Sequence, residues 1–259
     1  LQYGTQFGGL VNFVFHNPNQ YKKLEIIPRN SIGSNALYTN FSSLSGSLKN
    51  VGYYTFFNYK KGNGFRPNSN FESVNLFSHF NIELSNRIKA SIEMTYLTYL
   101  AQQAGGLTDN MFYENIFQSN RERNWFKIDW LLYNSKISYQ INDEDNFSLN
   151  IFALDANRFS LGYRNIRVDQ IDPLAERDLI KGFFNNYGIE TKYLNKYKLL
   201  KTNSILLTGL KYYKANNISE QGPGSSEYNA NFNYAYNDYP YYTNQSLYEY
   251  PNLNLACFF

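Results

Sequence analysis

The chain has 259 residues and a formal net charge of +3 at pH 7, which is too small a basic excess to indicate nucleic-acid binding. Aromatic residues make up 19% of it, with 25 tyrosines and 21 phenylalanines, a composition typical of strands rather than helices. No run of apolar residues is long enough for a transmembrane helix, and the single cysteine, Cys257, excludes an internal disulfide. The mean hydropathy of −0.52 leaves a transmembrane β-barrel open, because barrel strands alternate between polar and apolar residues.

The first elements in the chain are glycine-rich turns and short strands. The Gly8-Gly9 pair leads into a predicted strand from Leu10 to Phe15. A strand from Lys22 to Ile32 contains Pro28, which fits only a sheet edge or a bulge. Strands over 36–48 and 51–60 follow.

The clearest hairpin lies between Val74 and Tyr96. Apolar residues keep one parity on both sides of the Ser85-Asn86 turn, and polar residues such as His79 keep the other. This is the pattern of two antiparallel strands, each with one apolar and one polar face.

The next strand begins at Trp125, and its apolar parity changes near residues 134–136, which predicts a β-bulge. A seventh strand opens at Phe147, an eighth covers residues around 187–193, a ninth runs from Thr202 to Lys214, and a tenth starts at Leu253. If the apolar parity faces lipid, polar residues of these strands face a lumen: Lys89, Glu93, Lys127, Asp129, Glu190 and Lys192.

The lengths of the connections decide the fold class. Short turns near residues 48, 85, 143 and 198 alternate with long connections near 65, 112, 172 and 235. Transmembrane barrels have this rhythm, because tight turns lie on one side of the membrane and long loops on the other. We therefore predict an all-β, antiparallel, up-and-down transmembrane β-barrel, of which about ten strands are present.

Four segments resemble the TonB-dependent outer-membrane receptors, especially the ferric-dicitrate and siderophore receptors. The opening segment 1–15 resembles the end of their plug domain, and 62–69 resembles their second extracellular loop. Residues 102–109 resemble the third loop, with Ala104 where proline is expected, and 119–126 resembles the re-entry into the next strand. They occur in the family's order and span half the chain.

The resemblance implies a 22-stranded barrel closed around a plug. Residues 1–19 are then the C-terminal tail of the plug and a linker, and 20–259 are the truncated N-terminal part of the barrel. The implied function is import of a ferric chelate across the outer membrane. The implied partners are outer-membrane lipid and lipopolysaccharide, the chelate, and the TonB energy-transducing complex, which acts through the missing plug segment. An isolated half-barrel would expose two edge strands, so we expect aggregation when it is expressed alone.

Candidate ligand-binding residues follow from the anionic character of many ferric chelates. Arginines on loops and upper strands bind anions by charge-assisted hydrogen bonds, and glutamines add neutral partners. The candidates are Arg121, Arg123, Arg158, Arg164, Gln102 and Gln103. The tyrosine-rich stretch 228–250 fits an aromatic vestibule for the chelate or a loop that builds its own small core.

No catalytic pattern is present, and we predict neither an enzyme nor a cofactor or metal site. Histidines occur only at positions 16 and 79, without ligand-spaced partners. Two other readings stay open from the residues alone. A passive porin-like or small closed barrel needs no plug, and a soluble adhesin-like β-domain buries its apolar parity between two sheets.

Overall fold

The computed structural model describes residues 15–164, 167–236 and 240–258. Within them the chain forms ten strands and one short helix, α1 (Asp109–Glu114). The strands are β1 (Glu25–Gly33), β2 (Leu37–Leu48), β3 (Val51–Gly62), β4 (Phe71–Glu83), β5 (Ile88–Gln102), β6 (Trp125–Gln140), β7 (Asp145–Gly162), β8 (Arg177–Leu199), β9 (Thr202–Gly224) and β10 (Tyr242–Phe258). The predicted strand from Leu10 lies outside the described residues, apart from Phe15.

The strands form a single antiparallel sheet in sequence order, as the prediction of an up-and-down all-β fold requires. After β2, short turns (49–50, 84–87, 141–144 and 200–201) alternate with long loops (63–70, 103–124, 163–176 and 225–241). The predicted rhythm is thus confirmed. We call the edge of the sheet with the short turns the turn end and the opposite edge the loop end.

The terminal strand β1 carries Pro28, opposite Ser42 of β2. Proline has no backbone N–H to donate, which suits β1 because it is the outermost strand of the described sheet. The edge-strand prediction is confirmed.

Strands β8, β9 and β10 are longer than predicted, so the long connection predicted near residue 235, between Lys214 and Leu253, covers only residues 225–241. The added residues break the alternation in two ways: β8 gains apolar residues on both faces, such as Phe183 and Phe184, and β9 gains polar residues on both faces, such as Asn216 and Asn217. Alternation of polar and apolar residues marks a strand only where its two faces meet different environments. The extensions carry no such alternation.

Strand β6 has no bulge. Its pairing with β5 runs without interruption from Trp125 opposite Gln102 to Tyr139 opposite Ile88, so the prediction near residues 134–136 is wrong. The change in apolar parity has another cause, because the two halves of β6 present apolar residues to different faces.

The two faces of the sheet are distinguished by the position of Phe15, which lies against one of them. Its ring stacks on Phe77 of β4, with 4.3 Å between the ring centroids. We call the face with Phe77 the inner face and the opposite one the outer face. Side chains of directly paired residues point to the same side, so the register assigns every strand. Lys89, Glu93, Glu190 and Lys192 lie on the inner face, as predicted.

Lys127 and Asp129 lie on the outer face, against the prediction. Glu93 pairs with Asn134, so the even-numbered residues of β6 point inward and the odd-numbered residues outward. The Lys127 Nζ lies 3.0 Å from Asp129 Oδ2 on the outer face near the loop end. Apolar residues such as Trp130 and Leu132 therefore point inward.

The outer face carries a continuous belt of exposed apolar side chains. It takes one residue or more from each strand between β3 and β10, including Phe57, Phe80, Tyr96, Leu131, Ile151, Ile189, Leu210 and Leu253. The charged outer residues Lys127, Asp129, Lys181 and Glu220 lie between this belt and the loop end. Within the described ranges, no helix has the length and apolar character that crossing a membrane would require.

Candidate ligand-binding site

A cavity of about 340 Å³ opens on the inner face near the loop end. Because the sheet is regular, side chains from five consecutive strands, β6 to β10, converge on it. Its lining combines apolar, hydroxyl and amide side chains with one arginine: Phe126, Arg158, Ser160, Ile180, Gly182, Phe184, Asn217, Ile218, Ser219, Asn244 and Ser246.

Arg158 is the candidate arginine that the structure places in this cavity. It lies opposite Gly182, and its guanidinium carbon is 5.8 Å from the centre of the Phe184 ring. The absence of a side chain at Gly182 provides space for this ring, because a Cβ there would lie only 3.0 Å from ring atoms of Phe184. The Asn217 Oδ1 is buried and accepts no hydrogen bond from the described residues. Asn217 had no sequence signal, because it lies in a stretch that is polar on both faces.

Arg121 is buried, with 3% of its surface exposed, and holds two loops together. Its Nη1 donates to the Asn120 and Gln170 carbonyls at 2.5 and 2.9 Å, and its guanidinium lies 5.2 Å from the Tyr163 ring. Gly105, at φ +79°, makes room for this packing, because a Cβ there would lie 2.2 Å from Asn120 Oδ1.

Three further candidates, Gln102, Gln103 and Arg164, lie at the loop end of the sheet. Gln102 Nε2 donates to the Glu122 carbonyl at 2.7 Å and to Asn68 Oδ1 at 3.2 Å. Gln103 is exposed, and its backbone N–H donates to the Asn124 carbonyl. Arg164 is exposed in the loop after β7. For all six candidates, direct ligand contact stays a prediction.

Arg123, Asp172 and Arg177 form a buried cluster that we call the arginine clasp. Arg123, 1% exposed, donates from Nε and Nη2 to both oxygens of Asp172, at 2.9 and 2.5 Å. Its Nη1 donates to the carbonyls of Ala175 and Ser226. Arg177, also 1% exposed, donates to the Ser225, Asn229 and Arg123 carbonyls. The clasp thus joins the loops 163–176 and 225–241 to the start of β6.

The electrostatics of the clasp are those of a buried ion pair with an extra cation. Burial and the neighbouring Arg123 lower the pKa of Arg177 to about 10, so it keeps its proton at neutral pH. Burial by itself raises the pKa of Asp172. Hydrogen bonds from Arg123 and from the Leu174 N–H, together with the charges of Arg123 and Arg121, outweigh this effect, so the pKa lies below its ordinary value.

We predict that the clasp resists mild acid and opens only in strong acid. A carboxylate whose pKa is lowered by folding stabilises the fold above its unfolded pKa and loses that effect as pH falls through the folded value. Hydrogen exchange of the 167–176 amides, corrected for intrinsic rates, should therefore be unchanged from pH 7 to 5 and rise below about pH 4. In Asp172→Asn, exchange should be fast already at pH 7, without the acid step; an acid step retained there would contradict the assignment.

Residues 15–19 lie along the inner face towards the turn end. Pro18 is buried beside Gly52, and the Asn19 N–H and carbonyl bond Ser45 Oγ and Ser47 Oγ at 2.8 and 2.9 Å. The assignment of 1–19 to a plug tail and linker stays a prediction, and residues 1–14 lie outside the described residues.

Phe15 at the start of this segment borders a second inner-face cavity, of about 370 Å³. Phe77, Phe152 and Tyr213 also line it. This second cavity thus combines aromatic side chains with polar ones, such as Glu93 and Asn186.

Part of the tyrosine-rich stretch builds a small core of its own. Tyr234, 7% exposed, packs on Leu161 and Leu179 at the outer face, and its hydroxyl donates to Glu220 at 3.1 Å. Lys181 Nζ lies 4.2 Å from the centre of its ring. Tyr228, Tyr236, Tyr241 and Tyr242 are exposed, and Tyr239 lies outside the described residues. Of the two alternatives for this stretch, a loop that builds its own small core applies to Tyr234.

In the described part of the chain, His, Cys, Asp and Glu residues form no group of three that would hold a metal ion. His79 lies on the inner face, as predicted, where its Nε2 is 2.9 Å from Asn81 Oδ1 and its Nδ1 3.5 Å from Glu93 Oε1.

Comparison with known proteins identifies the fold. No protein-family model matches the sequence, and no curated protein matches it. The structure is similar to that of the ferric citrate transporter FecA in the unliganded form, with a TM-score of 0.74 and 14% identity, over 90% of this chain and 34% of that chain. It is also similar to the FpvAI–pyocin S2 complex structure (TM-score 0.73, 9% identity, 92% and 34% covered). A third similar structure is BauA, the ferric preacinetobactin receptor from Acinetobacter baumannii (TM-score 0.64, 8% identity, 92% and 35% covered).

These likenesses confirm, at the level of the fold, the resemblance to TonB-dependent receptors that the four sequence segments predicted. The ten strands have the fold of part of a receptor β-barrel. The chain spans about a third of the length of each of these structures.

Proposed function

We propose that this chain is part of an outer-membrane receptor that binds a ferric chelate and imports it into the periplasm with energy from the TonB complex. The observation that carries the proposal is the asymmetry of the sheet. One face carries an apolar belt, and the other carries a covering segment at residues 15–19 and an open cavity near the long loops. The fold shared with the ferric citrate transporter and the ferric preacinetobactin receptor supports iron as the cargo.

In this proposal the residues act by binding and positioning, not by catalysis. The belt faces lipid, and the charged outer residues beyond it, such as Lys127, meet lipid head groups and lipopolysaccharide. The arginine clasp and Arg121 hold the loops at the loop end of the sheet. Arg158 and its neighbours contact the chelate.

The test is iron uptake by cells that lack their own ferric-chelate receptors. Cells that produce the whole protein containing this chain should take up radiolabelled iron as a chelate and lose that uptake when TonB is removed. Uptake that persists without TonB would indicate a passive porin-like barrel. No uptake of any chelate, from a protein that is folded in the outer membrane, would contradict the proposal.

The membrane orientation gives a separate prediction. Replacing Ile151 on the outer face with lysine should lower the free energy of unfolding in lipid by about 2–4 kcal/mol, because a charge at the bilayer midplane is poorly solvated. Urea titration of the protein in vesicles measures it. The adjacent inner-face substitution Asn150→Lys is the control and should have a small effect; equal losses in the two variants would contradict the assignment of faces.

A further inference from the structure

The charge of the Arg158 cavity restricts what it binds. Among the described residues that line the cavity, Arg158 is the only charged one. Arg158 is exposed, its guanidinium lies over the Phe184 ring, and it takes part in no ion pair within the described chain. One positive charge is therefore available to a ligand here.

Two other candidate arginines do not add to this charge. Arg121 and Arg123 are 3% and 1% exposed, and their guanidinium groups donate to loop carbonyls and to Asp172. Withdrawing either from these partners would leave buried polar groups unpaired, at a cost that a ligand would have to offset. A chelate with several carboxylates would thus meet one cation and several uncharged groups.

The remaining polar groups suit a neutral, hydrogen-bonding surface. Ser160, Ser219 and Ser246 offer hydroxyls, and Asn217 and Asn244 offer amides. The buried Asn217 Oδ1 lacks a donor in the described chain, so a ligand N–H or O–H group directed at it would satisfy an otherwise unpaired acceptor. Phe126, Ile180 and Phe184 supply apolar contact for an organic framework.

We infer that the cargo of this site is a ferric chelate with a single anionic group, hydrogen-bond donors and an apolar framework, of the hydroxamate type, rather than a polyanionic carboxylate chelate. In the complex, Arg158 pairs with the one anionic group. The Asn217 oxygen accepts from the ligand, and Phe184 packs against its framework. This inference rests on the proposed function and names the chemical class of its substrate.

The test compares three ferric chelates on the purified whole protein in detergent by intrinsic fluorescence quenching. They are a neutral trihydroxamate, the same trihydroxamate with one carboxylate, and ferric dicitrate. We expect the single-carboxylate chelate to bind about tenfold more tightly than the neutral one and ferric dicitrate to bind most weakly. Arg158→Gln should remove the tenfold preference and leave the neutral chelate within about threefold, since it removes only the charged contact.

Two further variants separate binding from folding. Asn217→Leu should weaken both trihydroxamates, because it removes the acceptor they share. Lys127→Gln, on the opposite face of β6, is the matched control and should leave all three affinities unchanged. Tighter binding of ferric dicitrate than of the trihydroxamates, or a tenfold preference that survives Arg158→Gln, would overturn the inference while leaving iron import in place. If none of the chelates binds and cells take up no iron through the protein, the inference and the proposed function both fail.

Discussion

Replacing Arg123 with alanine is expected to release the loops 167–176 and 225–229 while leaving the barrel strands paired. The variant removes a cation that is 1% exposed and leaves Asp172, itself 10% exposed in its side chain, without its bidentate partner. Removing one partner of a buried ion pair costs about 3–5 kcal/mol. The opening free energy of these loops, measured by hydrogen exchange, should fall by that amount.

Lys89→Ala provides the control for this loss. Lys89 and Glu83 form an ion pair at 3.1 Å, but their side chains are 67% and 63% exposed, and exposed pairs contribute little. Lys89→Ala should leave hydrogen exchange unchanged throughout the loops. Unchanged protection of 167–176 in Arg123→Ala would mean that the clasp does not hold these loops.

The strands that were predicted best from the sequence are those with one polar and one apolar face. In the β4–β5 hairpin the alternation from Val74 to Tyr96 holds except at Phe77 and Ser78, because the outer side chains form the apolar belt and most of the inner ones are polar. At the loop end of β8 both faces carry apolar residues, such as Phe183 and Phe184, and at the loop end of β9 both carry polar ones, such as Asn216 and Asn217, so the alternation ends before the strand does.

The faces of β6 show a second limit of sequence patterns. Lys127 and Asp129 were predicted to face the lumen on the assumption that polar residues point inward. Beyond the apolar belt the outer face no longer needs apolar side chains, and polar residues occur there. Only the pairing of Glu93 with Asn134 fixes which parity is inner, and register is a tertiary property.

The candidate arginines were found by residue type, which does not separate ligand contacts from structural ones. Arg123 meets Asp172, 49 residues along the chain, and Arg177 meets carbonyls about as distant. No local signal reveals such partners, and Arg177 was not among the candidates. Arg158 differs because it lies within a strand, where the register places it on the inner face beside Phe184.

Replacing Phe77 with alanine should have the second large effect. Phe77 is fully buried and stacks on Phe15 at 4.3 Å and on Phe56 at 5.5 Å between ring centroids. Truncating a buried phenylalanine to alanine costs about 3–5 kcal/mol, because it leaves a cavity that its neighbours do not refill. The free energy of unfolding of the whole protein in detergent should fall by this amount, and hydrogen exchange of the amides of 15–19 should rise, since Phe15 loses its main contact.

Phe80 gives a matched control on the same strand, since its side chain belongs to the outer belt and is 40% exposed. Lipid or detergent chains are as apolar as the side chain they replace and fill the space that Phe80→Ala leaves. Its loss of stability should be clearly smaller, and exchange at 15–19 should stay unchanged. Equal losses in the two variants would contradict the division into a packed inner face and a lipid-facing outer one, because only a closed protein interior keeps the cavity empty. The difference between Phe77 and Phe80 thus measures how far residues 15–19 are part of the packed interior of the barrel.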